Sequence, residues 1–170
     1  SDVCSSDLCG ATETILLHEK IIKKIGFSIL RDLEQNGCKI IGDRKIKKMY
    51  NGKVQKASLQ DWSKEYLSPV VSVKSVKNLD EAIFHINKYG TMHTDCIITQ
   101  NKKSAKKFMK NVKSSIAMHN TSTQFADGGE FGFGAEVGIS TNTIPPRGPV
   151  GLNQLVSYKY QISSKGEIRK

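Results

Sequence analysis

Short apolar runs alternate in this chain with stretches whose apolar residues recur at helical spacing, and that alternation constrains the fold more than any other feature. Thr14-Ile-Leu-Leu-His18 is a compact apolar run that reads as a buried strand. From about Lys20 to Asn36, the residues Ile21, Ile22, Ile25, Ile29, Leu30 and Leu33 hold a helical stripe, and Gly37 is a natural stop. Further strands are predicted at Cys38 to Ile41, Pro69 to Val76, Asp95 to Thr99 and Ser115 to His119. Between them lie a helix from Asp80 to Lys88, N-capped by Asn78 and closed by Gly90, and a short basic helix from Lys102 to Lys113. Residues 43–60 are basic and irregular, with a turn at Asn51-Gly52. A glycine-rich loop runs from Asn120 to Gly138, and Pro145 to Pro149 makes a rigid turn. Gln154 to Ile162 alternates cleanly, with Val156, Tyr158, Tyr160 and Ile162 on one side of a half-exposed strand. Strands alternating with helices predict an α/β layered domain with a largely parallel sheet.

Charge and cysteine usage narrow the function classes. The 26 basic residues outnumber the 16 acidic ones, for a net charge of +10. A surplus of that size can neutralise nucleic-acid phosphates. Here, though, the lysines interleave with aliphatic residues at helical spacing, as on solvated helix faces, and no basic run carries the interleaved aromatics of single-strand binders. The expectation is therefore no nucleic-acid partner, and a basic field that favours anionic small substrates. Cys4, Cys9, Cys38 and Cys96 are too scattered for a disulfide framework or paired metal knuckles, and the four histidines form no ligand spacing, so no metal is expected. No stretch approaches the roughly 18 consecutive apolar residues of a membrane helix. The opening residues lack the basic and apolar blocks of a signal peptide, so a cytoplasmic location is expected.

Four blocks carry a family resemblance. Val76-Lys-Asn-Leu-Asp-Glu-Ala-Ile-Phe-His-Ile-Asn-Lys-Tyr-Gly-Thr-Met-His-Thr-Asp-Cys-Ile97 resembles the signature of γ-glutamyl phosphate reductases, a branch of the aldehyde dehydrogenase superfamily. Asn120 to Gly128 with Phe131 to Thr141 resembles that family's glycine-rich segment. Arg147 to Leu152 with Tyr158-Lys-Tyr160 is similar to its C-terminal end, and Cys9-Gly-Ala-Thr-Glu-Thr-Ile-Leu-Leu-His18 to the block with the catalytic cysteine. The blocks occur in the family's order from about Cys9 to Arg169, well under half of a typical member. Ser1 to Leu8 matches nothing in the family. The resemblance implies residues 9–150 as a cysteine-bearing catalytic domain and 151–170 as a C-terminal oligomerisation strand.

It also implies a chemistry. Cys9 attacks the acyl phosphate of γ-glutamyl phosphate as a thiolate, phosphate leaves, and hydride from NADPH yields glutamate 5-semialdehyde, a step of proline biosynthesis. Glu65 and Leu67, in Glu-Tyr-Leu-Ser-Pro69, resemble the superfamily's glutamate-x-phenylalanine pair beside the nicotinamide ribose, with leucine replacing the aromatic residue. Asn120, Thr121, Ser122 and Thr123 supply short polar groups for a carboxylate or phosphate, and Phe125 supplies a wall. His93 and Asp95 are acid–base candidates, with a turn-holding role as the simpler reading. Gly132-Phe-Gly134 lacks the strand, helix and third glycine of a dinucleotide loop and is assigned to packing. Expected partners are a second copy of the chain and a glutamate kinase as supplier of the labile substrate. The competing readings are an inactive fragment and a basic nucleic-acid-binding domain.

Overall fold

A computed structural model of the chain describes residues 10–140, 143–166 and 168. Its core is a four-stranded, wholly parallel sheet in the order β1-β4-β2-β3. Strand β1 is Thr14–His18, β2 Lys39–Gly42, β3 Val54–Lys56 and β4 Val70–Val76. Helix α1 (Phe27–Gln35) crosses from β1 to β2 and packs Leu30 and Leu33 onto Leu17, Ile40, Val71 and Val73. Burying side chains of this size stabilises the fold by about 1.5–3 kcal/mol each, which is why β4 sits at the centre of the layer.

The helical run before α1 is irregular. Glu19–Ile21 is a 3-10 turn, and Ile22–Gly26 is π-helical, with the Phe27 N–H donating to the Ile22 carbonyl. Gly26 packs closely on β1, where an added Cβ would stand 3.1 Å from Leu17 Cδ1. The extra residue in that turn breaks the 3.6-residue phase. The predicted stripe therefore fails in its first half: Ile21 and Ile25 are 37% and 53% exposed, while Ile22, Leu30 and Leu33 are buried.

The sequence predicts residues 43–60 to be irregular, but they hold a short helix and strand β3. Asp43 Oδ1 accepts the Ile46 N–H at 2.8 Å and starts helix α2 (Arg44–Met49). Its other oxygen accepts the Ser75 N–H and hydroxyl at 2.7 and 2.6 Å, tying the helix to β4. Ile46 is buried in the core and Met49 packs against it, too short an apolar pattern for the sequence to announce a helix.

Helix α3 (Leu79–Tyr89) begins at Asn78, whose side chain accepts the Glu81 N–H, and closes at Gly90. It leads to β5 (Thr94–Ile97), helix α4 (Lys102–Asn111) and β6 (Ile116–His119); β5 and β6 form a separate parallel pair. Ile83, Phe108 and Val112 make a second, smaller core beneath that pair. The lysines of α4 all lie on its solvated face, opposite Ala105 and Phe108. Strands β7 (Val137–Ile139) and β8 (Gly148–Val150) form a short antiparallel pair.

Residues 155–162 depart from expectation. They form no strand with any described residue, and Val156, Tyr158, Tyr160 and Ile162 are 66–93% exposed. A strand needs a partner for its backbone donors and acceptors, and none of the described residues pairs with them. Among the described residues, no helix is long and apolar enough to cross a membrane.

Candidate active site

Parallel pairing brings the residues that precede two central strands side by side. Thr14 of β1 registers with Ser72 of β4, so Gly10–Glu13 and Glu65–Pro69 meet at the N-terminal edge of the large sheet. The Ser72 N–H donates to the Glu13 carbonyl at 2.9 Å. Burial and the neighbouring Glu65 carboxylate push the Glu13 carboxyl up to about 7, against the opposing pull of the Tyr66 N–H.

The segment carrying Glu65 is fastened from below as well. Tyr66 Oη donates to Asp61 Oδ1 at 3.0 Å and lies 2.8 Å from Ser72 Oγ, which donates to the Asp61 carbonyl at 3.1 Å. Asp61 also accepts the Ser58 N–H and hydroxyl at 2.7 and 2.6 Å, which hold its carboxyl below the usual range. Leu67 has φ 48°, a left-handed conformation that leucine adopts only under constraint, and its side chain is 73% exposed. Glu65 is exposed beside it.

The other wall comes from the C-terminal ends of β5 and β6. Asn120 has φ 55°; its side chain accepts the Thr99 N–H at 2.8 Å and donates to the Thr99 carbonyl at 2.9 Å, joining the two strand ends. The Thr121 carbonyl accepts from Cys96 Sγ at 3.1 Å. Ser122 caps a single 3-10 turn, Thr123–Phe125, through the Gln124 N–H. Thr123 Oγ1 donates to the Gly10 carbonyl at 2.6 Å and lies 3.4 Å from Thr12 Oγ1.

Gly10 is what lets the walls touch. It is buried, and a Cβ on it would fall 2.7 Å from the Thr123 carbonyl oxygen and 2.9 Å from Gln124 Cα. Backbone meets backbone here, an approach only glycine permits. Cys9 itself lies outside the described residues, as do Ser1 to Leu8; its C-terminal neighbour is at the centre of the contact. Of the residues singled out from sequence, Thr123 joins Gly10 directly, and Phe125 stands nearby, 52% exposed. Glu65 and Leu67 occupy the adjoining sheet edge. Asn120 and Thr121 are engaged with the ends of β5 and β6 instead.

His93 and Asp95 lie at the opposite end of β5. His93 Nδ1 is 2.8 Å from Thr94 Oγ1, and burial lowers its pKa. Asp95 accepts the Ser114 hydroxyl, and burial pushes its carboxyl up to about 6. Gly132 and Gly134, with φ 75° and 76°, shape a turn that stacks Phe131 on Phe133. Sequence reasoning did not single out Glu13. The available signal was an acidic residue immediately before an apolar strand, where its carboxyl is forced into a half-buried edge.

The geometry can be set beside known proteins. Residues 53–139 match the aldehyde dehydrogenase family. The γ-glutamyl phosphate reductase of Prochlorococcus marinus (strain MIT 9301) is 51% identical over 160 residues, covering 94% of this chain and 36% of that protein. That of Clostridium beijerinckii is 45% identical over 162 residues, covering 95% of this chain and 39% of the relative. The crystal structure of γ-glutamyl phosphate reductase from Thermotoga maritima superposes with a TM-score of 0.87 at 42% identity, over 97% of this chain and 40% of that one. The chain thus spans less than half the length of the proteins it matches.

Proposed function

The chain belongs to the aldehyde dehydrogenase family, and from that premise we propose that it is the cysteine-bearing part of a γ-glutamyl phosphate reductase acting in proline biosynthesis. The observation that carries this reading is the backbone contact between Gly10 and the Thr123–Gln124 turn. It supports a pocket shared by the segment after Cys9 and the loop of short polar side chains that follows β6.

In this reading Cys9, as a thiolate, attacks the acyl carbon of γ-glutamyl phosphate; the carbon–sulfur bond forms, the bond to phosphate breaks, and a thioester remains. NADPH, when bound, would supply a hydride to the thioester carbon; the carbon–sulfur bond then breaks, releasing glutamate 5-semialdehyde and regenerating the Cys9 thiolate. The residues at the sheet edge fit that cofactor. The exposed Glu65 carboxylate can accept two hydrogen bonds from vicinal ribose hydroxyls, and exposed Leu67 offers an apolar surface beside it. The Thr123 hydroxyl fixes the loop on Gly10, while Thr121 and Ser122 orient the anionic end of the substrate and Phe125 limits entry of water to the thioester. Asn120 contributes by holding the loop to Thr99. The exposed alternation from Gln154 to Ile162 supports strand addition to a second copy of the chain. A glutamate kinase is the natural supplier of the acyl phosphate.

The test joins this chain behind the N-terminal portion of the Prochlorococcus reductase and follows phosphate-dependent NADP⁺ reduction by glutamate semialdehyde. Activity is expected to require both phosphate and Cys9, with Cys9→Ser losing about a thousand-fold or more. A folded, NADP⁺-binding chimera that is inactive, or equally active as Cys9→Ser, refutes the reading. The 170-residue chain alone is expected to turn nothing over.

A further inference from the structure

Residues 63–65 and 67–69 are exposed and belong to neither core, yet Tyr66 in their midst is firmly tied down. Its Oη donates to Asp61 Oδ1 at 3.0 Å and lies 2.8 Å from Ser72 Oγ, while its carbonyl accepts the Ser68 hydroxyl at 3.0 Å. Neither partner of the Tyr66 hydroxyl is free to follow a movement of the loop. Ser72 is fully buried in β4, between Val71 and Val73, and its own hydroxyl donates to the Asp61 carbonyl at 3.1 Å. Asp61 Oδ2 is taken up by the Ser58 N–H and hydroxyl. Next in the chain, Leu67 keeps φ 48°, a strained conformation that persists only where its surroundings enforce it. For packing alone, alanine would serve at Ser72 without the cost of burying a hydroxyl. What the buried hydroxyl and the strained leucine secure together is the path of an exposed loop.

We propose that Tyr66 is a positioning residue: its hydroxyl, bonded between Asp61 and Ser72, fixes the backbone from which Glu65 projects, and so raises cofactor affinity without taking part in the acyl transfer. The proposal rests on the reading of Glu65 as the ribose-binding carboxylate. Accepting from two vicinal hydroxyls demands one orientation of that carboxylate. A backbone fixed before the cofactor arrives removes part of the ordering cost of binding. The anchor reaches Glu65 from the adjacent residue, so the carboxylate itself stays exposed and open to its ligand.

The experiment titrates NADP⁺ calorimetrically into the chimera described above, which gives Kd whether or not the chimera turns over, and adds kcat from steady-state assays. Tyr66→Phe keeps the ring and removes the hydroxyl; Kd should rise about ten-fold, with kcat within about three-fold of the parent. Ser72→Ala should raise Kd in the same direction, and it carries the test should Tyr66→Phe not fold. Glu65→Gln should itself bind about ten-fold more weakly, and in that background Tyr66→Phe should change Kd by less than about two-fold, because it acts through Glu65. Ser75→Ala removes another buried hydroxyl of β4, one bonded to Asp43, and should lower thermal stability with Kd unchanged. The proposal is overturned if Tyr66→Phe keeps its full effect in the Glu65→Gln background, or if Ser75→Ala weakens binding equally. A raised Kd in Glu65→Gln with parental Kd in Tyr66→Phe and Ser72→Ala rejects the role of Tyr66 alone. Parental Kd in Glu65→Gln, or a folded chimera that binds no NADP⁺, rejects the ribose reading together with it.

Discussion

Two stretches of this chain alternate polar and apolar residues in the manner of strands, and they meet opposite fates. In β4, Val71, Ser72 and Val73 have no exposure, because β1 and β2 pair on either side and α1 covers the face. From Leu155 to Ile162 the pattern is at least as regular, yet Tyr158 and Tyr160 are both 82% exposed and only stack edge-to-face on each other. Alternation thus states a readiness to pair. Whether a strand forms depends on a partner with unmet donors and acceptors, and for the second stretch none is found among the described residues.

That contrast can be broken most severely at the centre of β4. Val73→Asp places a charge where nothing can pair with it, and should cost about 4 kcal/mol or more, enough to unfold the chain in a urea titration. The small β5–β6 pair sharpens the comparison at an intermediate level. Asp95 titrates at about 6 because burial disfavours its charge, so the stability it contributes is complete below its unfolded pKa of about 4 and fades as pH rises through 6. Asp95→Asn should consequently stabilise the protein by about 2 kcal/mol at pH 7.5, with the gain vanishing near pH 4 in paired thermal melts. In the C-terminal arm, Tyr160→Asp should change the stability of the folded unit by less than about 0.5 kcal/mol. If the arm docks on a second copy, the same substitution shifts sedimentation towards the monomer; unchanged sedimentation of an oligomer removes the arm from the interface.

The readable part of the fold was the part with long-range burial written into its periodicity. Strands β1, β2, β4 and β6 and helices α1, α3 and α4 place apolar residues in or against a core, β5 adds Ile97, and the Asn78 cap announced α3 by its chemistry. Helix α2 was hidden because it commits only Ile46 and, in part, Met49 to the core and depends on Asp43, whose oxygens bind both Ile46 and the distant Ser75. The π-helical turn, Ile22–Gly26, interrupts an apolar stripe that the sequence presents as continuous. At the site, the short polar residues after β6 stood out as a group, but the division of labour among them did not. Nothing in the local sequence distinguishes Asn120, bound to Thr99, from Thr123, bound to Gly10. Glu13 became visible only when register brought it beside Glu65.

The hydrogen bond from Thr123 to Gly10 joins residues 113 apart in the sequence. Closing a loop of that length is paid in chain entropy before the contact returns anything, and topologies with such separations fold slowly. The strands of both sheets must already be in register when this bond forms, so the pocket closes late on the folding path. A substitution at Thr123 should therefore speed unfolding while leaving the folding rate nearly unchanged.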